Sequence, residues 1–266
     1  MSQIQPSMKL LFNKSENGAD ELQELTETIN TMLVRIDESL RQQQNFFASA
    51  SHELKTPLFT VQGYLLTLLD GAMNDKTIRK KYLQRAEKGV ERLIYIVKDL
   101  DMITKLEAGD LNLEFTEFNI VDVVQNVFDL LEMRADQKNI MLMFDRKYPK
   151  AIKVFADKER IQQVVTNLVE NSIKYGKENG TTEISIEDLV NNKVIIRVTD
   201  NGEGIQKQFI SRLFERFFRG GNATVIQGTG LGLHLIDRYI RLLGGKVEIK
   251  SELNKGTELY IQLPLN

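Results

Sequence analysis

The chain has 266 residues, 42% of them hydrophobic and 27% charged, with 35 Lys+Arg against 37 Asp+Glu for a formal net charge of −2. These proportions exclude wholesale disorder and collagen-like structure, and the near balance of charge leaves no basic surplus for nucleic acid or anionic lipid. With no cysteine there is no disulfide framework, thiolate zinc site or thiol nucleophile, and with two histidines, His52 and His234, a His-rich metal site is not expected. No stretch approaches the roughly 20 apolar residues of a membrane span, and the first fifteen residues lack the apolar core of a signal peptide, so the chain as given is expected to be soluble.

After a polar start over residues 1–19, helical periodicity governs the first hundred residues. Leu22, Leu25, Ile29, Met32 and Ile36 step by three and four, the seam spacing of a coiled coil. The stripe continues through Phe47, Leu54, Val61, Leu65 and Leu68 until Asp70-Gly71-Ala72-Met73-Asn74-Asp75 supplies turn and cap chemistry. A second helix carries Tyr82, Ala86, Gly89, Leu93, Ile96, Leu100 and Ile103 on its seam. Two such helices make an antiparallel hairpin with a half-covered seam, which predicts dimerisation into a four-helix bundle.

Past Ala108-Gly109-Asp110 the periods alternate. Helices are expected over Ile120–Asp136, over Lys158–Ile173 and from near Gly230; extended segments are expected over Ile140–Phe144, Lys153–Ala156, Glu183–Glu187, Val194–Thr199, Lys246–Lys250 and Glu258–Leu263. Mixed elements without regular βαβ repetition predict an α/β two-layer sandwich, helices on one face of a mixed sheet.

Five places carry chemistry. At about 100° per residue, His52 lies about 200° around the helix from Leu54 and faces away from the seam, with Thr56 on the same outward face. An exposed imidazole beside Glu53 and above a hydroxyl suits a nucleophile with a base and a water-positioner; a solvated surface histidine explains the same letters. Pro57 removes a helical hydrogen bond and predicts a bend there. Farther on, Asn167 and Asn171 stack on one helix face, where an amide oxygen suits Mg²⁺ shared with phosphates, with Lys174 and Tyr175 beyond; a plain polar helix face fits equally. Asp200-Asn201-Gly202-Glu203-Gly204-Ile205 ends a strand, its glycines permitting close ligand approach and Asp200 able to accept from an exocyclic amine, although turn chemistry alone accounts for it. Gly228-Thr229-Gly230-Leu231-Gly232-Leu233 opens a helix whose backbone N–H groups suit an anion. Between the glycine turns, Leu213–Arg219 leads into the small-residue run Gly220–Thr224, a fit for a lid with Arg219 as a phosphate-neutralising cation.

The order of these boxes resembles bacterial sensor histidine kinases of two-component systems, from Asn45 to the C-terminus. In that likeness Ser51–Leu58 is the phosphoacceptor box, Asn167–Tyr175 the N box, Asp200–Ile205 the first glycine box, Leu213–Arg219 the F box and Gly228–Leu233 the second glycine box; Lys255-Gly256-Thr257 resembles the last. The resemblance implies a dimerisation and phosphotransfer hairpin over residues 45–110. It implies a Bergerat-type ATP-binding domain of the gyrase–Hsp90–histidine kinase–MutL superfamily over 111–266, a HAMP-like signalling helix over 20–44, and a linker before it. It further implies autophosphorylation of His52 by ATP, with Glu53 as base, then transfer to an aspartate of a response-regulator receiver. Thr56 would place water for a phosphatase activity on that receiver. ATP and Mg²⁺ would be held by Asn167, Asn171 (the metal ligand), Lys174, Tyr175, Asp200, Gly202, Gly204, Arg219, Gly228, Thr229, Gly230, Leu231 and Gly232. The expected setting is a homodimer in the cytoplasm, joined to a membrane only through an upstream sensor region. His234 stands where the family has a small residue and is expected to be structural. A superfamily ATPase and a nucleotide-sensing scaffold remain the rival readings.

Overall fold

The computed structural model describes residues 20–189, 193–220 and 228–264. The polar start at 1–19 and residues 221–224 of the expected lid lie outside the described residues. The chain divides into two compact units, Met1–His52 and Glu53–Asn266.

The described part of the first unit is the N-terminal portion of helix α1 (Asp20–Leu69). Its seam residues Leu25, Met32 and Ile36 are exposed and Ile29 is half-buried. Leu22 has helical backbone, but its side chain lies outside the described set. His52, the last residue of this unit, is exposed.

The second unit begins with the remainder of α1, a short 3₁₀ turn (Ala72–Asn74) and helix α2 (Lys76–Ala108). Asp75 starts α2 by accepting from Thr77 N at 2.8 Å and Ile78 N at 3.1 Å, the side-chain cap that satisfies orphan amides. Gly109 ends it in the left-handed region at φ 72°, a conformation that costs glycine least. Helical residues continue on both sides of Pro57 without interruption, so α1 runs through the proline. A Cβ at Gly89 would stand 2.5 Å from Val61 Cγ2, so glycine is what lets α2 approach α1 here. Leu68, Ala86, Ile96, Ile103 and Leu106 are buried, while Leu58, Phe59, Leu66, Leu83, Val90 and Ile94 form a second, exposed apolar set.

The rest of the unit is the expected sandwich. Strand β1 (Phe115–Asn119), helix α3 (Ile120–Asp136), β2 (Met141–Phe144), β3 (Lys153–Asp157), α4 (Lys158–Tyr175), β4 (Thr181–Leu189), β5 (Lys193–Asp200), the single turn α5 (Lys207–Ile210), α6 (Gly232–Leu242), β6 (Lys246–Glu252) and β7 (Gly256–Pro264) follow in order. Five strands form one mixed sheet in the order β2-β4-β5-β7-β6. β2 runs parallel to β4, and the other neighbours are antiparallel. The two-residue period of β5 buries Val194, Ile196 and Val198, and that of β7 buries Leu259, Ile261 and Leu263, beside Val165 and Leu168 of α4 and Leu235, Ile236 and Ile240 of α6. β1 and β3 pair separately as an antiparallel ribbon, Phe118 opposite Val154. β1 and α5 had no counterpart among the expected elements. Among the described residues no helix is long and apolar enough to cross a membrane.

Candidate functional site

Helix α4 supplies the first wall. Asp157 caps it by accepting from Arg160 N at 3.0 Å, and its buried stripe of Ile161, Val164, Val165, Leu168 and Val169 fixes its rotation against the sheet. That rotation leaves Asn167 and Asn171, one turn apart, half-buried on a cavity of about 840 Å³, within the roughly 300–1,000 Å³ of small-molecule sites.

At the C-terminal end of α4, Lys174 Nζ donates to Tyr175 Oη at 2.9 Å and stands 4.6 Å from the ring centre. Burial pulls the Lys174 ammonium down to about 8, helped by the like charges of Arg219 and Arg92 and opposed by Glu170. Cations crowded together in this way suit a polyanion. Burial also raises the Tyr175 phenol, with Arg219 opposing.

The second wall is the end of β5. Asp200 Oδ1 accepts from Gly202 N at 2.9 Å, which orients the carboxylate. Burial raises its affinity for a proton, against the backbone hydrogen bonds from Gly202 and Thr257. A Cβ on Gly202 would stand 2.5 Å from the Tyr175 carbonyl and 2.8 Å from Asp200 Oδ1. Gly202 therefore does not line the cavity; its smallness lets the turn close on α4. Gly204, at φ 65°, packs on the Glu252 carbonyl and does reach the cavity.

The second glycine turn makes the rim. Gly230, at φ 73°, rests against the backbone of Phe217, where a Cβ would come within 2.7 Å of the carbonyl carbon. Gly228 passes over Lys174, and Gly232 has nothing within 4 Å of where its Cβ would be. Gly228, Thr229, Gly230 and Gly232 line the cavity, as does Arg219. Leu231 does not: its side chain is fully buried, and its amide already donates to Thr229 Oγ1 at 3.2 Å. That side chain anchors the turn on the core beneath it. His234 Nδ1 lies 2.9 Å from the Phe214 carbonyl and Arg216 Nε donates to His234 Nε2 at 3.3 Å. Burial chiefly lowers the imidazole's proton affinity, a structural arrangement as expected.

Sequence reasoning missed the third wall, which is helix α2. Lys88, Arg92, Tyr95 and Asp99 face the same cavity. Asp99 Oδ2 accepts from Thr229 Oγ1 at 3.0 Å, Arg92 Nη2 donates to Glu53 Oε2 at 3.0 Å, and Glu107 pairs with Arg216. Burial raises the proton affinity of Asp99, with the Thr229 hydrogen bond opposing. The signal was present: these four residues step by four, three and four, a coherent polar stripe about 100° around the helix from the seam. Of the hairpin's own expected residues, Glu53 is half-buried in its pair with Arg92, and Thr56 is exposed.

Comparison with known proteins bears on this arrangement. Residues 42–109 match the model of the His Kinase A (phospho-acceptor) domain, and residues 156–266 match that of the histidine kinase-, DNA gyrase B- and HSP90-like ATPase. Sensor histidine kinase WalK of Bacillus subtilis is 32% identical over 228 residues, covering 84% of this chain and 37% of its own length. Signal transduction histidine-protein kinase ArlS of Staphylococcus aureus is 31% identical over 246 residues, covering 91% of this chain and 53% of its own. The chain thus spans between a third and just over half of these relatives. Among solved structures, histidine kinase ThkA in complex with response regulator TrrA superposes with a TM-score of 0.69 at 28% identity, covering 86% of this chain and 64% of that one. Full-length ShkA in complex with AMPPNP superposes with a TM-score of 0.61 at 28% identity, covering 82% and 45%.

Proposed function

This chain belongs to the histidine kinase family, and from that premise we propose that it phosphorylates itself on His52 with ATP and passes the phosphoryl group to an aspartate of a response-regulator receiver. The observation that carries the reading is the cavity: an oriented carboxylate at one end, two amides, a crowded pair of cations and a glycine rim at the other. That is the polarity pattern of a nucleoside triphosphate, base at Asp200 and phosphates at Lys174 and Arg219. The AMPPNP carried by ShkA and the response regulator carried by ThkA support the nucleotide and the partner.

In the reaction, Asp200 accepts from the adenine amine while Tyr175 packs beside the base. Lys174 and Arg219 offset phosphate charge, and Gly228, Gly230 and Gly232 bring backbone amides toward the polyphosphate. The hard amide oxygens of Asn171 and Asn167 suit Mg²⁺, which would be held at Asn171 with Asn167 in support and would supply charge neutralisation on the phosphates. A ring nitrogen of His52 then forms the N–P bond as the bond from the γ-phosphorus to the β-phosphate oxygen breaks. The electron pair leaves with ADP, and Glu53 takes the proton from the other ring nitrogen. Such a transfer depends mostly on alignment and charge. Thr56 would place water for dephosphorylation of the receiver.

The same reading takes residues 45–110 as the phosphotransfer hairpin and 111–266 as the ATP-binding domain. The exposed apolar set on the hairpin is the face for a second copy of the chain. Residues 20–44, with exposed seam residues, would be a HAMP-like helix relaying a signal from a membrane sensor, on the cytoplasmic side, with residues 1–19 a linker.

The test is incubation with ATP labelled on the γ-phosphate. The chain takes up an acid-labile, alkali-stable label, and His52→Ala abolishes it. Free phosphate released without protein labelling would instead make the chain an ATPase, and binding with neither would make it a scaffold.

A further inference from the structure

We propose that Arg92, on helix α2, is a catalytic residue of the phosphoryl transfer: it holds the Glu53 carboxylate before ATP arrives, then moves its guanidinium to the γ-phosphate and releases Glu53 for the proton. The proposal rests on the kinase reading above and adds a residue to it.

Three observations meet at this side chain. Arg92 Nη2 donates to Glu53 Oε2 at 3.0 Å, and the pair is mostly withdrawn from water, the two side chains being 23% and 19% exposed. One end of the guanidinium is therefore committed to the residue that follows His52 in the chain. Secondly, the Arg92 Nε–H is buried and finds no hydrogen-bond partner among the described residues. A buried donor left unmade is costly, and a charged one more so; an acceptor supplied by substrate removes the cost. Thirdly, Arg92 lines the same cavity as Asn171, Lys174 and Gly228, and its charge is felt at the Lys174 ammonium. The phosphate end of the cavity thus receives a cation from α2 as well as from the sandwich.

The chemistry favours an exchange of partners. A guanidinium presents a planar fork that fits a carboxylate or a phosphate equally well in shape. The γ-phosphate carries more charge than a single carboxylate, so it competes for the fork as it enters. Glu53 Oε2 then loses its donor at the moment when the imidazole of His52 must lose a proton. Arg92 itself forms and breaks no covalent bond; it bears the charge that develops on the γ-phosphate oxygens during the in-line transfer described above. A carboxylate pinned until the triphosphate is seated also ties proton abstraction to the presence of the γ-phosphate.

A purely structural Arg92 would pin α2 to α1 and treat ADP and ATP alike, so the measurement compares the two nucleotides. The intact chain and its Arg92→Gln and Arg92→Lys variants are titrated with a fluorescent ATP analogue, displaced by ATP and by ADP, and assayed for His52 labelling at saturating ATP. Arg92→Gln is expected to keep ADP affinity within about twofold and to lose ATP affinity by about tenfold. Its labelling rate at saturation should fall by roughly 10²–10³-fold, the scale of one lost donor to developing charge. Arg92→Lys restores part of the rate, since a point charge replaces the fork. Equal losses for ADP and ATP, or an unaltered labelling rate, would overturn the role while leaving the kinase reading in place. If Arg92→Gln fails to melt cooperatively, the ADP-to-ATP ratio of Arg92→Lys decides the matter by the same criterion. An unsubstituted chain that binds ATP and never labels His52 overturns both.

Discussion

The Lys174 ammonium offers the sharpest quantitative test, because its proton sits near the experimental pH range. Burial, then Arg219 and Arg92, bring it down to about 8, and Glu170 only partly opposes them. With that value about nine-tenths of the chains carry the charge at pH 7 and about one-tenth at pH 9. A triphosphate beside Lys174 returns the ammonium toward its ordinary value of 10.5, so the complex stays charged at both pH values. The sign follows directly: the charged form binds better, so affinity is full below about 8 and declines as pH rises through it. Between pH 7 and 9 the dissociation constant for ATP should therefore rise about tenfold, equivalent to roughly 1.4 kcal/mol. Tyr175 cannot mimic this decline, since its phenol is raised and remains neutral at pH 9. The assay is titration with a fluorescent ATP analogue at the two pH values, with Lys174→Arg alongside, whose guanidinium keeps its charge throughout. Calorimetry in buffers of differing ionisation enthalpy should show proton uptake on binding near pH 8. The same affinity at both pH values, or a decline that survives in Lys174→Arg, refutes the reasoning.

Two further substitutions probe the walls of the cavity. Asp200→Ala removes the carboxylate proposed to accept from the adenine amine and should weaken ATP binding by about 10–100-fold, the worth of a hydrogen bond to a charged group; displacement of the fluorescent analogue checks this, and unchanged affinity would remove Asp200 from the proposed site. Gly230→Ala places a Cβ against the Phe217 backbone at φ 73°, so it should cost about 1–3 kcal/mol of stability. Chemical denaturation measures that loss, and a stability equal to that of the original chain would show that the turn relaxes freely.

Much of this protein was legible residue by residue, because the determining physics is local. The three-four spacing that runs from Ala86 through Gly89, Leu93, Ile96 and Leu100 to Ile103 made a helix with one buried face. The expected helix over residues 120–136 is the observed α3, begun by Asn119 accepting from Val121 N at 3.3 Å. The strand ending in Asp200 and the glycine turn before α6 lie where alternation and turn chemistry put them. β1 escaped notice because Phe115, Thr116, Glu117 and Phe118 alternate poorly, and its order comes from antiparallel pairing with β3, nearly forty residues on. Likewise the sequence pattern treated every residue of the second glycine turn alike. Packing separates them: Leu231 is sunk in the core while Gly228 and Gly232 face the cavity.

What the order of amino acids determined by itself was the inventory of elements and the chemical character of each box, since periodicity, caps and turns act over a few residues. The tertiary structure alone decided that α2 forms a wall of the cavity. Glu53 and Arg92 are 39 positions apart and Asp99 and Thr229 are 130 apart. Pairings at such separation are made by the burial of seams and sheets that carries those side chains together, and no local pattern encodes which distant polar face they will meet.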